Sequence, residues 1–416
     1  MERTVLHCDL NSFFASVELL DRPGLRASGA PAAVCGDPQA RHGIILAKND
    51  AAKAMGVKTA ETIWQARSKC PSLVLLPAHY DKYAFYSRAV NEIYSRYTDL
   101  VEPFSIDESW LDITGSMHLF GGDGRAIADT IRRTVRDETG LTISVGVSFN
   151  KVFAKMGSDY KKPDATTVIT RENFRTLLWP LPVTDLLFVG RSSAATLREY
   201  GVETIGDLAR FDREALIALL GKQGALLHDY ANGAEHENVV PVWEQPGPKS
   251  IGNGFTFRHD LMHSDEVRAG VAFLTDEVAE RLRREGLKCA VLQVTIRASD
   301  FRSVCRRKRL ETPTYLAREL TAAALDIIAA EWPAGSPIRA LTVTAQSLVG
   351  ADESTEQLSL FSPGEDLRRE KLEKLERTVD RVREKYGKET LRLALAGREE
   401  LGLVRPADAA DGEITI

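Results

Sequence analysis

The sequence predicts an α+β protein made of two mixed sheet-and-helix units with a helical segment between them. Three observations predict it. Short apolar runs alternate with stretches of helical periodicity from Thr4 to Phe149. Glycine-punctuated helices take over from Leu181 to Phe211. A second strand-and-helix series then resumes near Lys249. Strand–helix–strand order with hairpins implies sheets with helices packed on one face.

Thr4 to Leu10 is short and apolar and reads as a buried strand, and Asn11 to Leu20 follows as a helix with Phe14, Val17 and Glu18 at helical spacing. Gly43 to Ala47 reads as a strand, Asn49 to Met55 as a short helix ended by Gly56, and Thr62 to Lys69 as a helix stopped before Pro71. A longer helix runs from Asp81 to Tyr97 with Tyr83, Tyr86, Val90, Ile93, Tyr94 and Tyr97 on one stripe, which marks a core face. Val101 to Ile113 reads as a strand or hairpin, Ala126 to Thr139 as a helix and Leu141 to Phe149 as an alternating strand. The helical segment covers about 170 to 233, with Gly190, Gly201 and Gly206 as turns. Residues 234–248 hold three prolines and read as an extended linker.

The second unit has strands near Lys249 to Phe257, Ala290 to Ala298, Val304 to Glu311 and Ile338 to Ser347, with helices at Asp265 to Glu285 and Leu316 to Glu331. Beyond Val349, Leu367, Leu372, Leu375, Val379, Val382 and Tyr386 mark an amphipathic helix.

The 416 residues suffice for several domains, and 44% hydrophobic with 27% charged residues is a globular balance. No apolar run reaches the roughly 18 residues of a membrane span. The opening residues meet Asp9 too early for a secretory signal, so the expected location is cytoplasmic and away from membranes. Five cysteines without a C-x-x-C pair speak against a disulfide framework or structural zinc and for reduced, mostly buried thiols. The net charge of −5 is unevenly spread. Arg302, Arg306, Arg307, Lys308 and Arg309 form a basic run, and acids from Glu353 to Glu376 gather downstream.

The stretch Ser105-Ile106-Asp107-Glu108-Ser109-Trp110-Leu111-Asp112 places two adjacent acids inside an apolar segment. Adjacent strand residues point to opposite faces, so both acids can serve one metal site with Asp9 only if a hairpin bends the backbone there. On the residues alone, an ion pair or a solvated edge competes with a metal site. Hard carboxylate oxygens would suit Mg²⁺ and phosphoryl transfer.

Three motifs in order, His7-Cys8-Asp9-Leu10-Asn11-Ser12-Phe13-Phe14-Ala15-Ser16-Val17-Glu18, Ser105-Ile106-Asp107-Glu108 and Ser144 to Lys155, resemble those of the Y-family DNA polymerases of the bacterial DNA polymerase IV type. The resemblance covers nearly the whole chain. It implies a right-hand fold with a palm at 1–20 and 78–168, fingers at 21–77, a helix-hairpin-helix-like thumb at 169–233, the linker at 234–248, a little finger at 249–348 and a tail at 349–416. The implied activity is low-fidelity, translesion addition of deoxynucleotides to a primer 3′-hydroxyl during DNA damage tolerance.

The resemblance assigns Asp9, Asp107 and Glu108 as catalytic ligands of two Mg²⁺ ions, and Phe13, Phe14, Lys53 and Lys162 to the nucleotide. Phe14 is the expected steric gate against a 2′-hydroxyl; a core phenylalanine is the competing role. Asp50 stands where many members have a Tyr that donates to phosphate, and an ionised Asp cannot donate; Lys48 is a candidate to compensate. Gly190 in the thumb and Arg306, Arg307, Lys308 and Arg309 in the little finger are the expected DNA contacts, although Phe188-Val189-Gly190 lacks the first glycine of the usual hairpin. Gln357-Leu358-Ser359-Leu360-Phe361 matches the peptide by which bacterial polymerases bind the sliding clamp, with Gln357, Leu358, Leu360 and Phe361 as contacts. The implied partners are primer-template DNA, deoxynucleoside triphosphates and the clamp, for a chain acting as a monomer. A nucleotide cyclase on a palm-like fold would need no duplex grip, and a non-enzymatic recruitment protein would not need all three acids.

Overall fold

The computed structural model describes residues 2–38, 43–352, 363–391 and 401–403. They fall into two compact units divided after Gln245.

In the first unit the chain runs β1 (Val5–Leu10), α1 (Phe13–Leu20), α2 (Pro23–Ser28), β2 (Ala32–Cys35), β3 (Ile45–Lys48), α3 (Asp50–Ala54), α4 (Ile63–Lys69), β4 (Val74–Pro77), α5 (Tyr80–Tyr94), β5 (Val101–Pro103), β6 (Glu108–Asp112), α6 (Gly124–Thr139), β7 (Ile143–Ser148), α7 (Lys151–Tyr160) and β8 (Thr166–Ile169). A five-stranded sheet has the order β5-β6-β1-β7-β8, and a three-stranded sheet has the order β3-β2-β4. Strand β1 lies antiparallel to both β6 and β7, so the first six-residue strand is the buried centre of the larger sheet.

Alternate residues of that sheet serve two layers, which corrects the expectation of helices on one face. Leu6, Cys8, Leu10, Leu111, Ile113, Ile143, Val145 and Val147 pack with α1, α5 and α6. The opposite face, with His7, Asp9 and Trp110, meets α7, whose Lys151 carbonyl accepts the Trp110 indole N–H at 3.0 Å and whose Ser158 hydroxyl bonds to His7 at 2.8 Å. Two glycines bring α7 down onto the strands. A Cβ on Gly146 would lie 1.9 Å from the Ala154 carbonyl oxygen, and one on Gly157 would lie 2.9 Å from Gly146 Cα. Backbone against backbone is the only arrangement that seats this helix so low.

The smaller sheet closes over its own core of Ala33, Cys35, Ile45, Ala52, Val57, Ala66, Cys70 and Leu73. Thr62 and Gln65 form a capping box at the start of α4, as helix-start chemistry requires.

Five short helices follow: α8 (Phe174–Leu178), α9 (Arg191–Glu199), α10 (Ile205–Arg210), α11 (Arg213–Leu220) and α12 (Lys222–Ala231). Gly201 turns the chain with φ +75°, as its spacing suggested. Gly206 does not: it is buried inside α10, and a Cβ there would meet Trp179 Cβ at 3.0 Å. It is a packing glycine, not punctuation. The segment read as a linker is also partly bolted down. Glu235 is buried and accepts the Lys151 N–H at 2.7 Å, Val239 is buried, and the Val240 N–H reaches Glu102 at 2.7 Å.

The second unit carries β9 (Ser250–Leu261), α13 (Ser264–Arg284), β10 (Leu287–Ala298), β11 (Ser303–Thr314), α14 (Ala317–Glu331) and β12 (Ile338–Gly350). The four-stranded order is β11-β10-β12-β9, antiparallel throughout, with α13 and α14 on one face. The unit extends past residue 348. Helix α15 (Pro363–Tyr386) docks through Arg283, which is 5% exposed and pairs with Glu376 and Asp380, and through Arg383, which pairs with Asp276 at 2.9 Å. Leu401 and Leu403 join the same core. Four of the five cysteines are buried free thiols and Cys305 is exposed. No helix among the described residues is long and apolar enough to cross a membrane.

Candidate active site

Asp9 sits near the end of β1, directly opposite Glu108 at the start of β6. Directly opposed antiparallel residues share a face, with Cβ atoms about 5 Å apart. The expected bend is present. β5 and β6 form a hairpin whose loop ends at Asp107, with the Phe104 and Ser105 N–H groups both donating to the Glu108 carbonyl at 2.9 and 3.2 Å. Asp107 is therefore released from strand alternation, and Ser105 Oγ donates to its carboxylate at 2.7 Å.

Helix α7 delivers the counter-charge. Lys155 Nζ lies 3.3 Å from Asp9 Oδ2, 2.9 Å from Glu108 Oε1 and 3.1 Å from Asp159 Oδ2. Lys162 Nζ adds contacts at 2.6 Å to Asp9 and 2.8 Å to Asp159. Lys155 and Asp159 are four residues apart on one helix face, and neither stood out in the sequence as a site residue. His7 lies on the same sheet face, fully buried, with Nε2 at 3.6 Å from Glu108, beyond hydrogen-bond reach.

These surroundings split the acids. Burial pushes the Asp9 carboxyl up to about 6, against the pull of Lys162 and Lys155. Burial also raises Asp107. Burial opposes ionisation of Glu108 as well, but the Lys155 ammonium, 2.9 Å away, outweighs it and holds that carboxyl below its usual range. Burial drives His7 down to about 4, so its ring is neutral near pH 7.

The donor set fits a hard divalent cation: three carboxylates, with an ammonium already lying between two of them. Among the described residues, however, no three His, Cys, Asp or Glu side chains converge as a ready-made cage. Lys155 bridges Asp9 and Glu108 and Lys162 pairs with Asp9, so an arriving ion has to take over charge that these ammonium groups now neutralise.

The nucleotide candidates divide. Phe14, on the first turn of α1, is half-buried and stacks on Tyr83 at 4.1 Å with the rings 9° from parallel. Phe13 is 3% exposed in the core, so only its backbone is available to a ligand. Ser12 turns the chain into α1 with φ +48° and leaves the helix without a side-chain cap. Lys53 and Asp50 are exposed on α3, where Asn49 caps the helix by accepting the Ala52 N–H at 3.0 Å. Burial, with Lys53 nearby, lowers the Lys48 ammonium.

Gly190 is the N-cap residue of α9 and has no side-chain cap bond, so its turn offers free N–H groups. The missing first glycine has a physical outcome: Phe188 takes the left-handed conformation itself, at φ +68°. In the second unit the basic run splits by strand parity. Arg306 and Lys308 stand opposite the buried Val294 and Leu292 and pair with Glu331 and Asp326 of α14 at 2.9 and 2.7 Å. Arg307 and Arg309 stand opposite Gln293 and Val291 on the open face. Residues 357–361, the candidate clamp peptide, lie outside the described residues.

A mixed sheet with carboxylates at a strand-and-hairpin rim, followed by short helices and a four-stranded sheet backed by helices, is the fold of the Y-family polymerases. The solved Y-family DNA polymerase chimera Dbh-Dpo4(243-245)-Dbh matches it with a TM-score of 0.73 at 22% identity, over 83% of this chain and 99% of that one. Residues 8–159 match the sequence model of the impB/mucB/samB family, and residues 248–360 match that of the family's C-terminal domain. DNA polymerase IV of Acetivibrio thermocellus is 46% identical over 393 residues, 93% of this chain and 96% of that protein. DNA polymerase IV 1 of Bacillus subtilis is 36% identical over 402 residues, 96% of this chain and 94% of that protein. The chain belongs to the impB/mucB/samB family of Y-family DNA polymerases, of the DNA polymerase IV type.

Proposed function

We propose that the protein adds deoxynucleotides to a primer 3′-hydroxyl on a DNA template by two-metal phosphoryl transfer, with low fidelity, in translesion synthesis. The observation that carries this reading is the cross-strand placement of Asp9 and Glu108 with Asp107 at the adjoining hairpin. Asp9, Asp107 and Glu108 are the proposed ligands of two Mg²⁺ ions. The chemistry such ions supply when bound is a lowered hydroxyl pKa and a neutralised triphosphate.

The chain's own groups do the rest. Lys162 leaves Asp9 for phosphate oxygens, while Lys53 and Lys48 supply further positive charge from the fingers. The uncapped N-terminus of α1 offers N–H groups to the same phosphates. The Phe14 ring excludes a 2′-hydroxyl by shape. In the domain assignment this reading uses, 1–20 with 78–168 is the palm, 21–77 the fingers, 169–233 the thumb and 249–348 the little finger.

Primer extension with Mg²⁺ and the four deoxynucleotides tests the proposal. Asp9→Ala and Glu108→Ala are each expected to lower incorporation by orders of magnitude with duplex binding retained, because phosphate grip and metal chemistry use different residues. Near-normal extension by either variant sinks the metal assignment.

The clamp contact is proposed on sequence: Gln357 sets the register while Leu358, Leu360 and Phe361 fill an apolar pocket. A Leu360→Ala, Phe361→Ala variant is expected to lose retention on purified sliding clamp while keeping distributive synthesis. Equal retention of variant and parent removes the motif as the tether.

A further inference from the structure

Beneath the proposed sugar-facing ring lies a charged group that the catalytic reading does not use. Glu18 is one turn beyond Phe14 on α1 and is completely buried. A buried carboxylate is costly unless its lone pairs are filled. Here four donors fill them. The Tyr83 hydroxyl donates to Oε1 at 2.7 Å, the His79 backbone N–H at 3.2 Å and His79 Nδ1 at 2.8 Å. Arg22 donates to Oε2 at 3.0 Å. The donors come from the start of α5 and from the turn after α1, so one carboxylate ties the two segments together.

The tie fixes the back of the gate. Tyr83 is fully buried, and its ring is the one stacked on Phe14 at 4.1 Å and 9°. Tyr80 adds an edge-on contact, 5.9 Å from Phe14 and 5.6 Å from Tyr83. A ring that excludes a hydroxyl by shape works only if it cannot tip away from it. Stacking alone is a sliding contact, whereas a phenol anchored at its far end cannot slide.

We infer that Glu18, acting through the Tyr83 hydroxyl, is a positioning residue that holds the Phe14 ring upright and so sets how strongly ribonucleotides are refused. The inference rests on the reading of Phe14 as the steric gate.

The test measures, for the full-length protein, the ratio of incorporation efficiencies for a deoxynucleotide and its ribonucleotide. Tyr83→Phe removes only the hydroxyl and keeps the stacked ring. Its ratio is expected to fall by roughly tenfold, the scale of one lost buried hydrogen bond. Glu18→Gln is expected to fall similarly, and the double variant no further than either, because both changes break one link. Should Glu18→Gln fail to fold, Tyr83→Phe decides alone.

Phe14→Ala separates the two layers of the reading. Loss of discrimination in Phe14→Ala with a parental ratio in Tyr83→Phe overturns the inference and leaves the gate standing. Parental discrimination in Phe14→Ala overturns the gate itself. In a Phe14→Ala background, Tyr83→Phe is expected to change nothing more, and a further drop means that Tyr83 acts elsewhere and overturns the link.

Discussion

Asp9 faces two opposed demands. Its position at the end of a central strand buries it to 4% exposure, yet the proposed chemistry needs it ionised. Two lysines reconcile these demands only partly, and its carboxyl stays up at about 6. The sign follows directly. A folded-state value above the ordinary one means that the metal-free protein holds a proton on Asp9 as pH falls through about 6. A cation then has to displace that proton, so Mn²⁺ affinity is expected to rise from pH 5 to pH 7 and level off above. Glu108, held low, adds no titration in that range. Electron paramagnetic resonance of free Mn²⁺ across this series checks it, and an affinity flat between pH 5 and pH 7 rules it out. The three acids and Phe14 were legible as motifs. Lys155 as the bridge between Asp9 and Glu108 was not, because 146 positions separate it from Asp9 and the close Gly146–Gly157 contact is what brings α7 within reach.

Elements longer than a few turns were legible from periodicity, and short ones such as β3, α3 and α4 where glycine, proline or a cap marked their ends; others were not. Strands β2 and β4 have four residues each, too few for alternation to register. Helix α7 carries no narrow apolar stripe, because it is buried along most of its length from Lys151 to Ser158. Its motif was visible as sequence while its helix was not. Gly206 misled because a glycine's reason, a turn or a close contact, is settled by what packs against it. The reverse case is Phe188, where a turn lacks its glycine yet keeps its shape at φ +68°. A bulky residue there carries strain of about 1–2 kcal/mol. Phe188→Gly is therefore expected to stabilise the first unit by about 1 kcal/mol, after the added chain entropy of glycine is set against the strain. Urea unfolding with a probe in this helical segment measures it; a destabilised variant shows that the Phe188 ring, 6.3 Å from Tyr230, contributes more by packing than it costs by conformation.

At the scale of the molecule, composition was a poor guide to partners. A net charge of −5 hides a sheet face whose strands β9, β12 and β10 carry mainly small and uncharged polar residues beside two arginines of β11. Opposite the helices, the second unit exposes Ser250, Gly252, Gly254 and Thr256 on β9, Gln346, Thr344, Thr342 and Ala340 on β12, and Val291, Gln293, Thr295 and Arg297 on β10, with Arg307 and Arg309 along the β11 edge. The glycines lie so close over Thr344 and Thr342 that a Cβ would meet their hydroxyls at 2.7 and 2.6 Å. That keeps one side of the face low, as close approach of another backbone requires. The sequence could name four basic residues but not divide them, since division needs the register. Arg306 and Lys308 spend their charge on α14, so as exposed pairs they contribute little to stability and none of it is directed at a ligand on the open face. If the open face grips duplex DNA, Arg307→Ala with Arg309→Ala should weaken binding and lower the slope of log affinity against log salt by about 2, one counterion per lost phosphate contact. Arg306→Ala with Lys308→Ala should leave that slope nearly unchanged. Fluorescence anisotropy of a labelled primer-template across a salt series measures both. Equal loss of slope in the two double variants would mean that the helix-side pairs open on binding and that the whole strand edge, not one face of the sheet, meets the phosphates.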